Sequence, residues 1–160
     1  MDIALAVALV AVAGTLLGSL VSGRAQQRAG LAAVAATATH DTRRAQLDSV
    51  TELADAISVH RRALWERQHA RARSDYDPEG YTRLTAQCYA TRAAVTRPLT
   101  ALRVLIPDPD VRAAADHMVT VTYAIRDTEH TAAAADKARA EAVTAHDEFV
   151  TAAGRYLAQT

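Results

Sequence analysis

The 160-residue chain balances 18 basic against 18 acidic side chains and holds 4% aromatics, six glycines, four prolines and one cysteine. A single cysteine excludes an internal disulfide, and few aromatic, Gly and Pro residues beside abundant alanine favour close-packed helices over sheets. Beyond an apolar N-terminus about 135 residues remain, enough for one modest core and no second domain.

Ile3 to Val21 is a run of nineteen residues without a charge. At ~1.5 Å rise per residue it spans ~28 Å, about the thickness of a bilayer's hydrocarbon core. A cleaved secretory signal is the competing reading, but it needs a basic segment before the apolar run and a small-residue cleavage site. Here only Met1-Asp2 precedes the run, and Ser19 to Ser22 offers poor sites. Residues 1–23 therefore read as a retained transmembrane anchor. Arg24, Arg28, Arg43 and Arg44 follow it, so the positive-inside rule expects a single-pass protein of the cell membrane whose C-terminal domain is cytoplasmic. Gly14, Gly18 and Ser22 align on one face at four-residue spacing, where small side chains let two anchors approach closely. The face predicts a homo-oligomer, against the plainer reading that glycine and alanine are merely common here.

Residues 24–42 are alanine-rich with few large core residues and read as a helical stalk. From 43 to 160 the pattern is that of an antiparallel helical bundle. Leu47, Val50, Ala54, Ile57 and Leu64 recur at helical spacing on a segment running to about Arg73. Ser74 to Gly80 gathers turn formers, and the chain should reverse there. A second helix is expected from Tyr81, with Leu84, Cys88, Thr91, Val95, Leu99, Leu102 and Ile106 on one stripe and a kink at Ala94 to Arg97 ahead of Pro98. Pro107-Asp108-Pro109-Asp110 ends it and starts a third, with Asp108 as N-cap and Pro109 at the first helical position.

The stripe Val111, Ala114, Met118, Val121, Ile125 fades through Asp127 to Thr131 and resumes at Val143, Phe149 and Tyr156. An unbroken helix would strand its apolar C-terminal residues without a neighbour, so a break is expected near residues 127 to 131. The fold class is all-α: transmembrane helix, stalk and a four-helix bundle, with three long helices as the alternative.

Charge is unevenly spread. Residues 60 to 112 carry ten arginines against six acids, and 113 to 160 four basic residues against seven acids. Facing helices of one bundle account for this most simply. The densest basic run, His60 to Arg73, supplies Arg61, Arg62, Arg67, Arg71 and Arg73 with Trp65 among them, a possible contact for nucleic acid or lipid. Helical spacing sends these arginines to different sides, which favours a solvated face beside a packed indole. Glu66 with His69 and Asp127 with His130 show the i, i+3 spacing of bundle metal sites but lack the further inward carboxylates such cages need. No metal and no cofactor is expected. Cys88 lies on an apolar stripe without a partner, and no phosphate-binding glycine loop or nucleophile elbow is present. The chain reads as a non-enzyme.

Several stretches are similar to one family: GTLLGSLVSG at the anchor, HRRALW at His60 to Trp65, ATRAAVTRPLTALRVLIPDP from Ala90 to Pro109, YAIRD from Tyr123 and AHDEF from Ala145. Together they resemble the small actinobacterial proteins of the KilB type, carried by streptomycete conjugative plasmids and their chromosomal relatives. That resemblance implies a membrane-associated factor in plasmid spread within recipient mycelium, with other plasmid-transfer proteins as partners. The reading is a membrane-anchored scaffold or accessory protein in conjugative transfer. Its alternatives are a membrane-tethered DNA-contacting adaptor, for which nucleic acid is the partner, and a membrane-perturbing, holin-like protein.

Overall fold

The computed structural model describes residues 37–73, 75 and 77–159, and residues 3–36 only as backbone of the first helix. The described residues form four helices: α1 (Ile3–Ala72), α2 (Pro78–Leu105), α3 (Pro109–Ala124) and α4 (Ala132–Gln159), with a 3-10 turn at Ile125–Asp127 between the last two. Among the described residues there is no strand. Two compact units are distinguished, Met1–Asp41 and Thr42–Thr160. No helix among the described residues is long and apolar enough to cross a membrane. The expected anchor at 3–21, its small-residue face of Gly14, Gly18 and Ser22, and most of the expected stalk lie outside them.

Within the second unit the C-terminal part of α1 runs antiparallel to both α2 and α4. Gln46 reaches Leu105 and His60 reaches Thr91, so fourteen residues forward on α1 match fourteen back on α2. Against α4, Arg43 meets Leu157 and Trp65 meets Asp136, twenty-two forward against twenty-one back. The short link between α2 and α3 closes a hairpin, across which Arg103 pairs with Asp116 at 2.7 Å.

The ends of the helices have identifiable causes. Asp77 caps α2 by accepting from the Glu79 backbone N–H at 3.1 Å, and Pro78 follows as the first helical residue. The helix thus starts three residues before the expected Tyr81. Gly80 sits inside its first turn because a Cβ there would collide with the capping Asp77 carboxylate. Pro98 is buried in α2, which nevertheless runs unbroken from Pro78 to Leu105. Burial of its ring beside Val95 and Leu102 offsets the one backbone bond that proline removes. Asp108 caps α3 as expected, accepting from Asp110 and Val111 N–H at 3.0 and 2.9 Å.

The interruption after α3 falls at 125–131, which excludes the arrangement of three long helices. No glycine or proline makes it. Thr128 Oγ1 donates to the Ile125 carbonyl at 3.0 Å, and Thr131 Oγ1 caps α4 by accepting from Ala134 N–H at 3.1 Å. Gln68, buried on α1, donates through Nε2 to the carbonyls of Ile125 and Arg126, both at 2.9 Å. Carbonyls that a longer helix would have satisfied internally are satisfied from outside.

The main core joins Val50, Leu53 and Ile57 of α1 to Val95, Leu102 and Ile106, to Val111 and Met118, and to Phe149 of α4. A second cluster joins Ala63 and Leu64 to Cys88, Ile125 and Ala142. Buried alanines at 135, 142, 145, 152 and 153 keep α4 thin where it meets its neighbours. Two expected core residues are exposed, Leu47 at 49% and Val143 at 37%. Gln46 takes the inward position beside Leu47, donating from Nε2 to the Leu105 carbonyl at 2.9 Å and to the Tyr156 hydroxyl at 3.1 Å. Polar residues thus hold part of the inward stripe of α1.

Among the described residues, three buried side-chain polar atoms lack a hydrogen-bond partner, on Arg67, Thr85 and Thr122. Thr122 in α3 is fully buried and its Oγ1 has no partner. Thr122→Val keeps the shape and removes an unsatisfied hydroxyl, so it should stabilise the bundle by about 1 kcal/mol. A raised thermal midpoint checks this; a lowered one would mean that the hydroxyl is satisfied in solution.

Candidate functional site

The five arginines of the basic run do not share a face. Arg61 is half-buried against α4, donating to the Ala142 carbonyl at 3.4 Å. Burial, and next the nearby Arg139, lower its pKa, while Asp147 acts the other way. Arg62 is exposed and bonded to Glu66 one turn on at 3.0 Å. Arg73 forms a two-pronged pair with Asp75, with bonds of 2.8 and 2.7 Å. Arg71 is exposed. Arg67 alone turns into a cavity.

Trp65 is held on α1 against α4. Its Nε1 donates to Asp136 Oδ1 at 2.7 Å, its ring lies 4.3 Å from that of His69, and the Arg139 guanidinium covers it at 4.7 Å. The Arg139 guanidinium covers one face of this indole, so that face is not open for a base to stack on. Asp136 also meets His69 Nε2 at 3.0 Å, and the bonds from Trp65 and then His69 hold its carboxyl below the usual range.

The residues with metal-site spacing are committed elsewhere: Glu66 to Arg62, His69 to Asp136, and Asp127 to Arg126. Among the described residues, no group of three or more His, Cys, Asp or Glu could hold a metal ion.

A feature the sequence reading missed lies between α1, α2 and α3. A cavity of about 140 Å³ is lined by His60, Arg67, Cys88, Arg92, Tyr123 and Arg126, among others. His60 is only 2% exposed and its Nδ1 lies 2.9 Å from Thr91 Oγ1. Thr91 spends its single hydroxyl proton on the carbonyls of Gln87 and Cys88 at 3.0 and 3.2 Å, so toward His60 it accepts and Nδ1 carries the proton. The imidazole meets Tyr123 edge-on at 5.2 Å, and Arg92 lies over the same tyrosine ring at 5.0 Å. Burial first, then Arg92 and Arg67, lower the His60 pKa to about 4. Burial raises that of the Cys88 thiol. A neutral imidazole beside a neutral thiol is the reverse of the thiolate–imidazolium pair that cysteine nucleophiles use.

The only signal for this cavity in the sequence was its inward polar positions. His60 falls one turn after Ile57 and one before Leu64, on the apolar stripe of α1, where a histidine reads as core. Arg92 and Tyr123 come from helices whose approach no local pattern reveals.

Comparison with known proteins places the chain. A family profile described as KilB plasmid transfer protein matches residues 47–157. The chain is 38% identical over 141 residues to Protein KilB of Streptomyces lividans, covering 80% of this chain and 89% of that protein. No solved structure matches it.

The buried histidine makes stability depend on pH. An unfolded chain binds a proton at His60 below pH ~6.5, whereas the folded one does so only near 4. Its contribution is therefore fully present above ~6.5 and is lost as pH falls toward 4, by up to about 3 kcal/mol. Asp75 and Asp136, whose folded values are depressed from 3.8, act only below that window. Thermal midpoints should fall between pH 7 and pH 4.5 in the native protein and fall less in His60→Gln. Equal slopes in the two proteins would contradict the assignment.

Proposed function

The chain belongs to the KilB family of plasmid transfer proteins, and from that membership we propose that it is a membrane-anchored, non-enzymatic scaffold or accessory protein of plasmid transfer. The observation that carries the reading is the uncharged run Ile3 to Val21 at the head of α1, the helix that also supplies one side of the bundle. A bilayer-length segment continuous in sequence with a folded domain is the arrangement of a tethered adaptor. Oligomerisation through Gly14, Gly18 and Ser22 would multiply the bundles presented at one membrane site, and other transfer proteins would dock on them.

The placement of the basic run supports a scaffold over a DNA-contacting adaptor. Arg62 and Arg73 face their own carboxylates and Arg61 is spent on α4, so three of the five charges are not displayed together to a phosphate backbone. A holin-like role finds less support, since one apolar segment without polar groups makes a poor lining for water.

Fusion of alkaline phosphatase or a fluorescent protein after Thr160 tests anchor and orientation together. The protein should sediment with membranes, with the fluorophore bright and the phosphatase inactive. An active phosphatase would reverse the topology, and recovery in the soluble fraction would remove the anchor.

A further inference from the structure

We propose that the cavity between α1, α2 and α3 is a binding site for a phosphate dianion, either free or as the phosphomonoester end of a small ligand. The inference rests on the bundle alone and not on the membrane anchor.

Three arginines line the cavity, Arg67, Arg92 and Arg126, and no carboxylate does. Of these only Arg126 has an acid beside it, Asp127, which accepts from its Nε at 3.1 Å and leaves the terminal nitrogens over. Arg92 rests on the Tyr123 ring, an attraction that does not neutralise its charge. Arg67 is half-buried, and its Nε is buried without a hydrogen-bond partner. A buried donor left without a partner is costly unless something supplies the acceptor.

An oxyanion in the cavity would supply that acceptor once the half-buried Arg67 side chain turns its Nε toward it. Two uncompensated guanidinium groups match the two charges of a phosphomonoester above its second pKa of about 6, and guanidinium forks suit its oxygens. Tyr123 lines the same cavity, and its hydroxyl is of a type that can donate. Size fits as well: a cavity near 150 Å³ admits a molecule as large as benzene, whereas drug-sized ligands and cofactors need about 300 Å³ or more. A phosphodiester within a polymer carries one charge and two bulky substituents, which suits a small recess less well.

The ligand would also act on His60. Arg92 and Arg67 are two of the three causes that depress its basicity, so an anion between them should raise the His60 pKa. The other groups on the cavity that bear on it are Cys88, Tyr89, Tyr123 and Arg126.

The test titrates inorganic phosphate into the full-length protein in a neutral detergent, by calorimetry at constant ionic strength with chloride as the control. Saturable one-site binding is expected, weakened about ten-fold or more in Arg67→Gln and in Arg92→Gln and unchanged in Arg71→Gln. Thermal midpoints of the variants confirm that each is folded, and Arg92, being exposed, is the safer of the two. Independently, the His60 ring resonances should titrate at higher pH with phosphate present.

Competition by glycerol phosphate identifies a soluble source. Arg67-dependent competition by short-chain phosphatidic acid in the same detergent, but not by short-chain phosphatidylcholine, identifies a lipid headgroup. No saturable binding, equal binding by the Arg67 and Arg92 variants, or stronger Arg67-dependent binding of a short oligonucleotide would each overturn the proposal.

Discussion

Two buried glutamines on α1 hold the ends of the other helices. Gln46 donates to the last carbonyl of α2, and Gln68 to the carbonyls that close the turn after α3. They lie 22 positions apart, six helical turns or about 33 Å, and so share a face. Helix C-termini expose carbonyls that cannot bond within the helix, and burying them without a donor is costly. With a primary amide at each end, α1 lets α2 and α3 stop inside the bundle instead of at its surface. Arg112 repeats the device on the outer side of the α2 end, donating to the carbonyls of Ile106 and Arg103 at 2.7 and 2.6 Å.

The cavity is a consequence of this frame. Its α1 residues, His60, Leu64 and Arg67, stand between the two clamps, and Arg126, in the 3-10 turn, belongs to the segment that Gln68 holds. Positions fixed from both ends can keep like charges close together, because the core rather than their own attraction places them. Arg67 and Arg92 remain near a neutral histidine, whose basicity is lowered first by burial and then by these two charges. The rest of the basic run disperses: Arg62 pairs with Glu66, Arg73 with Asp75, Arg61 bonds the Ala142 carbonyl and Arg71 is exposed.

Helix number, the Asp108 cap and the interruption after Ile125 were legible because each is written locally, in spacing, a Pro-Asp pair or a fading stripe. Cys88 was readable as a core residue for the same reason. The start of α2 was misread by three residues because Asp77-Pro78 is a capping signal hidden among turn formers. Leu47 was placed inside because the pattern weighs only apolarity; the inward position goes to Gln46, whose value lies in a carbonyl 59 residues away. The cavity was illegible for that reason too: its arginines and tyrosines come from three helices and the 3-10 turn, and nothing in a single sequence states that they meet.

Thermal unfolding of Gln68→Leu in the full-length protein, followed with hydrogen exchange at residues 125–131, tests the role of α1 most directly. Leucine conserves most of the volume but removes the bonds donated to Ile125, Arg126 and Thr128, so the bundle should lose about 2 kcal/mol and the turn amides should exchange faster than the rest of α3. An unchanged midpoint with unchanged exchange would contradict the account, showing that the turn holds its carbonyls without help from α1.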